Sequence, residues 1–229
     1  MKDLGKIVLH IPAREGSKRV PKKNMRLMNN KPMISYTIEA SISANVSSEL
    51  YVNTDSEEII NYVKNNYSQF KIYKRNPYLA SDKVQSDEFN YDIIKSLNPD
   101  TLIMINPVCP LITKDDIINA LDCYRNNNCD TLITSTSTQM QTFCDGNPIN
   151  INLNEPLAPS QDNKTIQILN WAITIWDAKS FSKRMESLGY ASLGENRFLY
   201  DIEPIKSIKV SEEKDFIFAE QIIKSGEKL

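Results

Sequence analysis

One histidine, four cysteines and six glycines among 229 residues leave little room for several familiar chemistries. The histidine, His10, sits within the apolar run Ile7-Val8-Leu9-His10-Ile11, which predicts a packed imidazole rather than a catalytic one. A Ser-His-Asp relay would depend on that residue alone, and no G-x-S-x-G turn accompanies it. Cys109, Cys123, Cys129 and Cys144 show no C-x-x-C spacing, so core or free thiols are expected in place of disulfides or zinc. No apolar stretch reaches the roughly 18 residues of a membrane span, and there is no signal-peptide pattern. A cytoplasmic protein without membrane contact is therefore expected. A net charge of −2 argues against nucleic acid as a general partner.

What is present suits one large α/β domain over residues 1–229, with 41% hydrophobic residues to build its core. Strand and helix signals alternate along the first two-thirds. The pattern predicts strands over Lys6–Ile11, Glu49–Asn53, Lys71–Tyr73, Thr101–Ile105 and Thr131–Ser135. It predicts helices over Met33–Ala44, Ser56–Asn65, Ser86–Ser96 and Thr113 to about Arg125, the last opened by a capping box. Repeated strand–helix–strand units imply a doubly wound, mostly parallel sheet. From about Gln139 to Gln167 the composition turns to Asn, Pro, Gln and Ser. That stretch reads as either a disordered excursion or an arm that packs on a second subunit. Beyond it, strands are expected over Trp171–Trp176, Leu199–Glu203 and Ser207–Val210, and helices over Ala178–Leu188 and Ser211–Lys224, the latter capped by Ser211.

The most informative stretch follows the first strand. Arg14, Lys18, Arg19, Lys22 and Lys23 crowd the segment from Arg14 to Asn24, beside Gly16 and Ser17. Most charge runs are solvated loops. A basic loop at the carboxyl end of a strand is also a place to hold phosphates, through convergent N–H groups and fixed cations. The Walker spacing GxxxxGK[ST] is absent, and a local basic patch in a near-neutral chain favours a small anionic ligand.

The segment IPAREGSKRVPKKN resembles the first signature of the acylneuraminate cytidylyltransferases, the CMP-sugar synthetases, usually close to IPARGGSKGIPRKN. In order along the chain, YVNTDSEEI, RNPYLASD, INPVCPLIT, NWAITI and SIKVSEEKDFIFAE are similar to that family's VSTDSEEI, RPAELASD, LLQPTSPLRT, NGAIYI and SVDIDTEEDFELAE. The resemblance covers most of the chain. It implies a Rossmann-like nucleotidyltransferase fold with a small dimerisation arm at about 139–167, hence a homodimer. It implies CTP and a 3-deoxy-2-keto sugar acid as substrates, with CMP transferred and pyrophosphate released, and Mg2+ as the cofactor. Arg14, Lys18 and Lys23 would be catalytic, with Arg14, Ser17, Lys18, Asn24, Arg75 and Ser86 around the nucleotide. Asn106 and Asn170 would face the sugar. Arg14 and Lys18 suit a triphosphate on their own merits, because its charge needs fixed cations. Asn24 reads equally as a loop cap, Arg75 as an exposed strand-end cation, Ser86 as a helix N-cap and Asp55 as part of the next helix's cap.

Departures fall in the other half. Lys209 and Ser211 stand where the family carries the two aspartates of its metal-binding DxD, and lysine is no ligand for a hard cation. Ile112, Ile168 and Trp171 replace two arginines and a glycine, and Cys109 a serine. Asp201 and Glu203 form a D-x-E pair that could substitute for the missing acids, or could be exposed strand carboxylates. Three readings follow: a cytidylyltransferase with a different acceptor, an ordinary nonulosonate enzyme, or a nucleotide binder without catalysis.

Overall fold

The computed structural model describes residues 1–17 and 19–226. Its elements run β1 (Ile7–Pro12), the hairpin β2 (Leu27–Met28) and β3 (Lys31–Pro32), α1 (Ile34–Ala44), β4 (Glu49–Thr54), α2 (Glu57–Asn66) and β5 (Phe70–Lys74). Then come a 3-10 turn (Pro77–Ala80), α3 (Ser86–Leu97), β6 (Thr101–Ile105), α4 (Lys114–Asn126) and β7 (Thr131–Thr138). A second hairpin, β8 (Phe143–Cys144) and β9 (Asn147–Pro148), and a short turn (Ser160–Asp162) precede β10 (Ile166–Asp177), α5 (Ala178–Leu188), β11 (Arg197–Asp201) and α6 (Glu213–Ser225).

Seven strands form one sheet in the order β11-β7-β10-β6-β1-β4-β5, parallel throughout except for β10, which runs against both its neighbours. Central strands are buried on both faces, as in Thr101-Leu102-Ile103-Met104-Ile105, and so read as unbroken apolar runs rather than alternating ones. One face packs under α1 and α4, the other under α3 and α5. Leu9, Ile11, Ile103 and Ile105 point into the first core. Val8, Leu102, Trp176 and Phe181 point into the second. The chain steps outward from β1 to β4 and β5, then returns to β6 on the other side of β1. Such a reversal leaves a crevice between the carboxyl ends of β1 and β6.

A third, smaller core holds the pieces around that crevice. Val20 of the basic loop, Met28 and Met33 of the β2–β3 hairpin, and Val210, Phe216 and Ala219 near α6 pack together. Helix ends follow their sequence signals. Thr113 and Asp116 close a capping box on α4, and Asn45 and Asn98 end α1 and α3 in the left-handed region that short amides tolerate.

Several boundaries differ from expectation. Residues 207–210 do not form a strand; a turn from Glu203 is followed by extended chain tied to β6's loop. Gln85, not Ser86, is the N-cap of α3. Glu212, not Ser211, is the N-cap of α6, because the Asp215 carboxylate accepts the N–H groups of both residues and moves the helix start inward. The Asn-rich stretch carries the β8–β9 hairpin rather than no structure. Among the described residues, no helix is long and apolar enough to cross a membrane.

Candidate active site

The crevice is a cavity of about 730 Å³. Its floor is Pro12 at the end of β1 and Met104 with Asn106 at the end of β6; the basic loop walls one side and Ser86 and Phe89 of α3 another. The loop is folded back by specific bonds. The Glu15 N–H donates to the Asp55 carboxylate at 3.0 Å and the Asn24 amide donates to the Arg14 carbonyl at 3.3 Å. Lys22 turns the chain with a φ of 50°. Asp55 therefore tethers this loop instead of capping α2, whose N-cap is Ser56.

Of the residues expected at the nucleotide, Arg14, Ser17, Lys23, Asn24, Arg75 and Ser86 all line the cavity. Lys18 lies outside the described residues. Arg14 is partly exposed and donates to Asp82 at 2.7 Å. Asn24 is buried, and its Oδ1 has no protein donor, leaving an acceptor for a ligand. Arg75 is not the exposed cation that its strand-end position suggests. It is 4% exposed, donates to the Asn53 side chain at 2.8 Å and to the Asn53 carbonyl at 3.0 Å, and stacks 4.4 Å from the centre of the Phe89 ring. Burial pulls its pKa down to about 10, with Arg14 pushing the same way while Asp55 and Asp92 oppose.

Lys23 is half-buried and donates to the Val210 carbonyl at 2.8 Å. Burial lowers its pKa most, followed by repulsion from Arg19, Lys209 and Arg14, while Asp215 pulls the other way. Arg19 and Lys209 line the same cavity. In the sequence Lys209 stands only as the loss of an acid, yet the fold brings it to the cavity. Among the described lining residues there is no carboxylate.

The two residues expected at the sugar part company. Asn106 lines the cavity and turns the chain by accepting the Val108 N–H at 3.4 Å. Asn170 does not line it. Its Oδ1 accepts from the Thr134 hydroxyl at 2.6 Å and the Ala172 N–H at 3.1 Å, bracing an irregularity between Leu169 and Thr174 of β10. Trp171, in that irregularity, stands in the cavity instead, at a φ of 59° that a bulky residue rarely adopts. The signal was available, since a tryptophan in a glycine's place has to go somewhere. Cys109 is buried beside these groups, and burial pushes its thiol up to about 12 despite Lys209 and Lys23.

Asp201 and Glu203 do not line the cavity. Strand β11 ends at Asp201, so alternation does not carry Glu203 onto the same face. The Asp201 carboxylate accepts from Ser135 at 2.5 Å, from Ser137, and from Gln167 at 3.3 Å. Burial raises its pKa, but these donors together leave it lowered. Among the described residues no group of three or more His, Cys, Asp or Glu is arranged to hold a metal ion. The cavity's side-chain oxygens are hydroxyls and amides among cations, a donor set that does not fit a protein-held divalent cation.

The family described as cytidylyltransferase matches residues 8–189. The chain is 27% identical to post-translational flagellin modification protein B of Campylobacter coli over 234 residues, 96% of each chain. It is 28% identical to CMP-N,N'-diacetyllegionaminic acid synthase of Legionella pneumophila over 184 residues, covering 76% of this chain and 79% of that one. Its fold resembles a solved CMP:2-keto-3-deoxy-manno-octonic acid synthetase complexed with CTP, at a TM-score of 0.69 and 16% identity, over 96% of this chain and 99% of the other.

Proposed function

Because this chain belongs to the cytidylyltransferase family, among its CMP-sugar synthetases, we propose that it transfers CMP from CTP to a 3-deoxy-2-keto sugar acid and releases pyrophosphate. The observation that carries this reading is the cavity itself. Arg14, Arg19, Lys23, Arg75 and Lys209 face one crevice of about 730 Å³ with no lining carboxylate among the described residues. A triphosphate meets that demand, and the space holds a nucleotide and a sugar together.

Arg14, Arg19 and Lys23 hold the phosphates. Lys18, which follows Ser17 in the sequence, is assigned with them from the sequence alone. Ser17, Asn24, Arg75 and Ser86 hold the nucleoside and fix its orientation, with Phe89 backing the Arg75 guanidinium. The sugar's anomeric hydroxyl, positioned from the Asn106 side, attacks the α-phosphorus in line. The new O–P bond forms as the bond to the pyrophosphate oxygen breaks, and the hydroxyl proton ends on pyrophosphate or water. Positioning and fixed positive charge carry most of such a reaction. Cytidylyltransferases generally use a divalent metal. Mg2+ fits this cleft only as a partner of the triphosphate, and no step here is assigned to it.

A changed acceptor is supported by Trp171 in the cavity and by Ile112, which is buried in the main core. The hairpin arm exposes Met140, Phe143, Leu153 and Leu157, which supports pairing of two chains through it. The test is isothermal titration with CTP, then pyrophosphate release across a panel of 3-deoxy-2-keto sugar acids. Turnover on one of them is expected. CTP binding without release on any acceptor would leave a nucleotide binder, and absence of CTP binding would sink the assignment.

A further inference from the structure

The donor set around the crevice disagrees with a metal held by protein carboxylates, and one side chain accounts for the disagreement. Lys209 follows the turn at Glu203 and is fixed by its neighbour. The Val210 N–H donates to the Val108 carbonyl at 2.8 Å, tying this segment to the loop after β6. The Val210 carbonyl accepts the Lys23 ammonium at 2.8 Å, tying it to the basic loop. Val210 itself is fully buried in the third core with Val20 and Phe216. Two backbone anchors and a packed side chain at Val210 thus hold the neighbouring Lys209 where it lines the cavity together with Arg14 and Arg19.

No described carboxylate forms an ion pair with Lys209, Arg19 or Lys23. The nearest acid by its influence on Lys23 is Asp215, and its carboxylate is committed to the N–H groups of Ser211 and Glu212. Three cations without acidic partners repel one another across a shared space. An anion placed between them would relieve that repulsion, and the lysine stands in sequence where the resembled family carries an aspartate.

We propose that Lys209 is a phosphate-binding residue whose ammonium supplies the charge otherwise brought by a protein-held divalent cation, so that nucleotide binding needs no metal ligand from the protein. This rests on the CTP reading above. Because Lys209 is exposed, substitutions there leave the core untouched. The experiment is CTP titration in EDTA and again in excess Mg2+, for the native chain and for Lys209→Ala, Lys209→Arg and Lys209→Asp.

The native chain is expected to bind CTP in EDTA within about threefold of its affinity in Mg2+. Loss of one charge-assisted contact in Lys209→Ala should weaken binding in EDTA by roughly 10- to 100-fold. Lys209→Arg should retain most of it. Lys209→Asp should lose binding in EDTA and recover it on addition of Mg2+, because the new carboxylate makes a metal ligand. Native binding seen only with Mg2+ would overturn the proposal, as would unchanged affinity of Lys209→Ala in EDTA. Failure to bind CTP under both conditions would overturn the nucleotide reading itself and this proposal with it.

Discussion

The only histidine gives a clean experiment. His10 is fully buried, edge-on to Phe89 at 6.5 Å between ring centres. Burial, then the nearby Arg75 charge, lowers its pKa from 6.5 to about 3, against a small upward pull from Asn90. Protonation would bury a second cation beside the Arg75 that already stacks on Phe89. Because the folded pKa is the lower one, the unfolded chain binds more protons between about pH 3 and pH 6.5, and stability falls as pH falls through that window. At about 1.36 kcal/mol per unit, acidification from pH 7 to pH 5 should remove about 2 kcal/mol through this group alone. Urea unfolding across that range, for the native chain and for His10→Gln, isolates the effect, because carboxylates common to both cancel. The variant should lack that loss. The single imidazole resonance should also stay untitrated in NMR spectra down to about pH 4. An identical acid slope in His10→Gln, or a ring that titrates near 6.5, would refute the reasoning.

Three further outcomes follow from other sites. Lys206 and Asp116 form a buried pair at 3.1 Å, and Asp116 also caps α4; Lys206→Met should cost about 3–5 kcal/mol in urea unfolding by stranding the carboxylate. Trp171→Gly should relieve roughly 1–3 kcal/mol of backbone strain at positive φ while widening the sugar side. The added chain freedom of glycine offsets part of that gain, so the thermal midpoint should not fall, and pyrophosphate release should appear on bulkier acceptors with CTP affinity unchanged. Lys23 has a lowered pKa that a bound anion would raise. In alkaline buffer, CTP binding should take up a proton and weaken as pH rises, visible as a buffer-dependent titration enthalpy.

Much of the architecture was legible because local pattern and final environment agreed. Thr101–Ile105 and Ala178–Leu188 have the bounds their residues suggest. A doubly buried apolar run and an amphipathic stretch opened by Asp177 each have one good solution. Strand β10 was read too short, because Ile166–Leu169 is extended by pairing with Ser135–Thr138 rather than by its own pattern. Ser207–Val210 has a strand-like pattern but is no strand, because its backbone is taken up by turns onto Glu203, Pro204 and Ile205 and by the bond from Val210 to Val108. The cationic wall of the crevice was legible as a basic patch because Arg14, Arg19 and Lys23 come from one continuous loop. Arg75 was underrated because its burial depends on Asn53 and Phe89, which no spacing rule links to it.

From sequence alone came the alternation of strands and helices and the cationic loop after the first strand, since each is a property of neighbouring residues; the missing pair of aspartates is what the family resemblance adds. Tertiary structure alone decided that Lys209 joins Lys23 across one cavity, that Trp171 displaces Asn170 from it, and that Asp201 is spent on Ser135 and Ser137. Those outcomes depend on which strand ends lie side by side, and strand order is set by packing of the whole sheet.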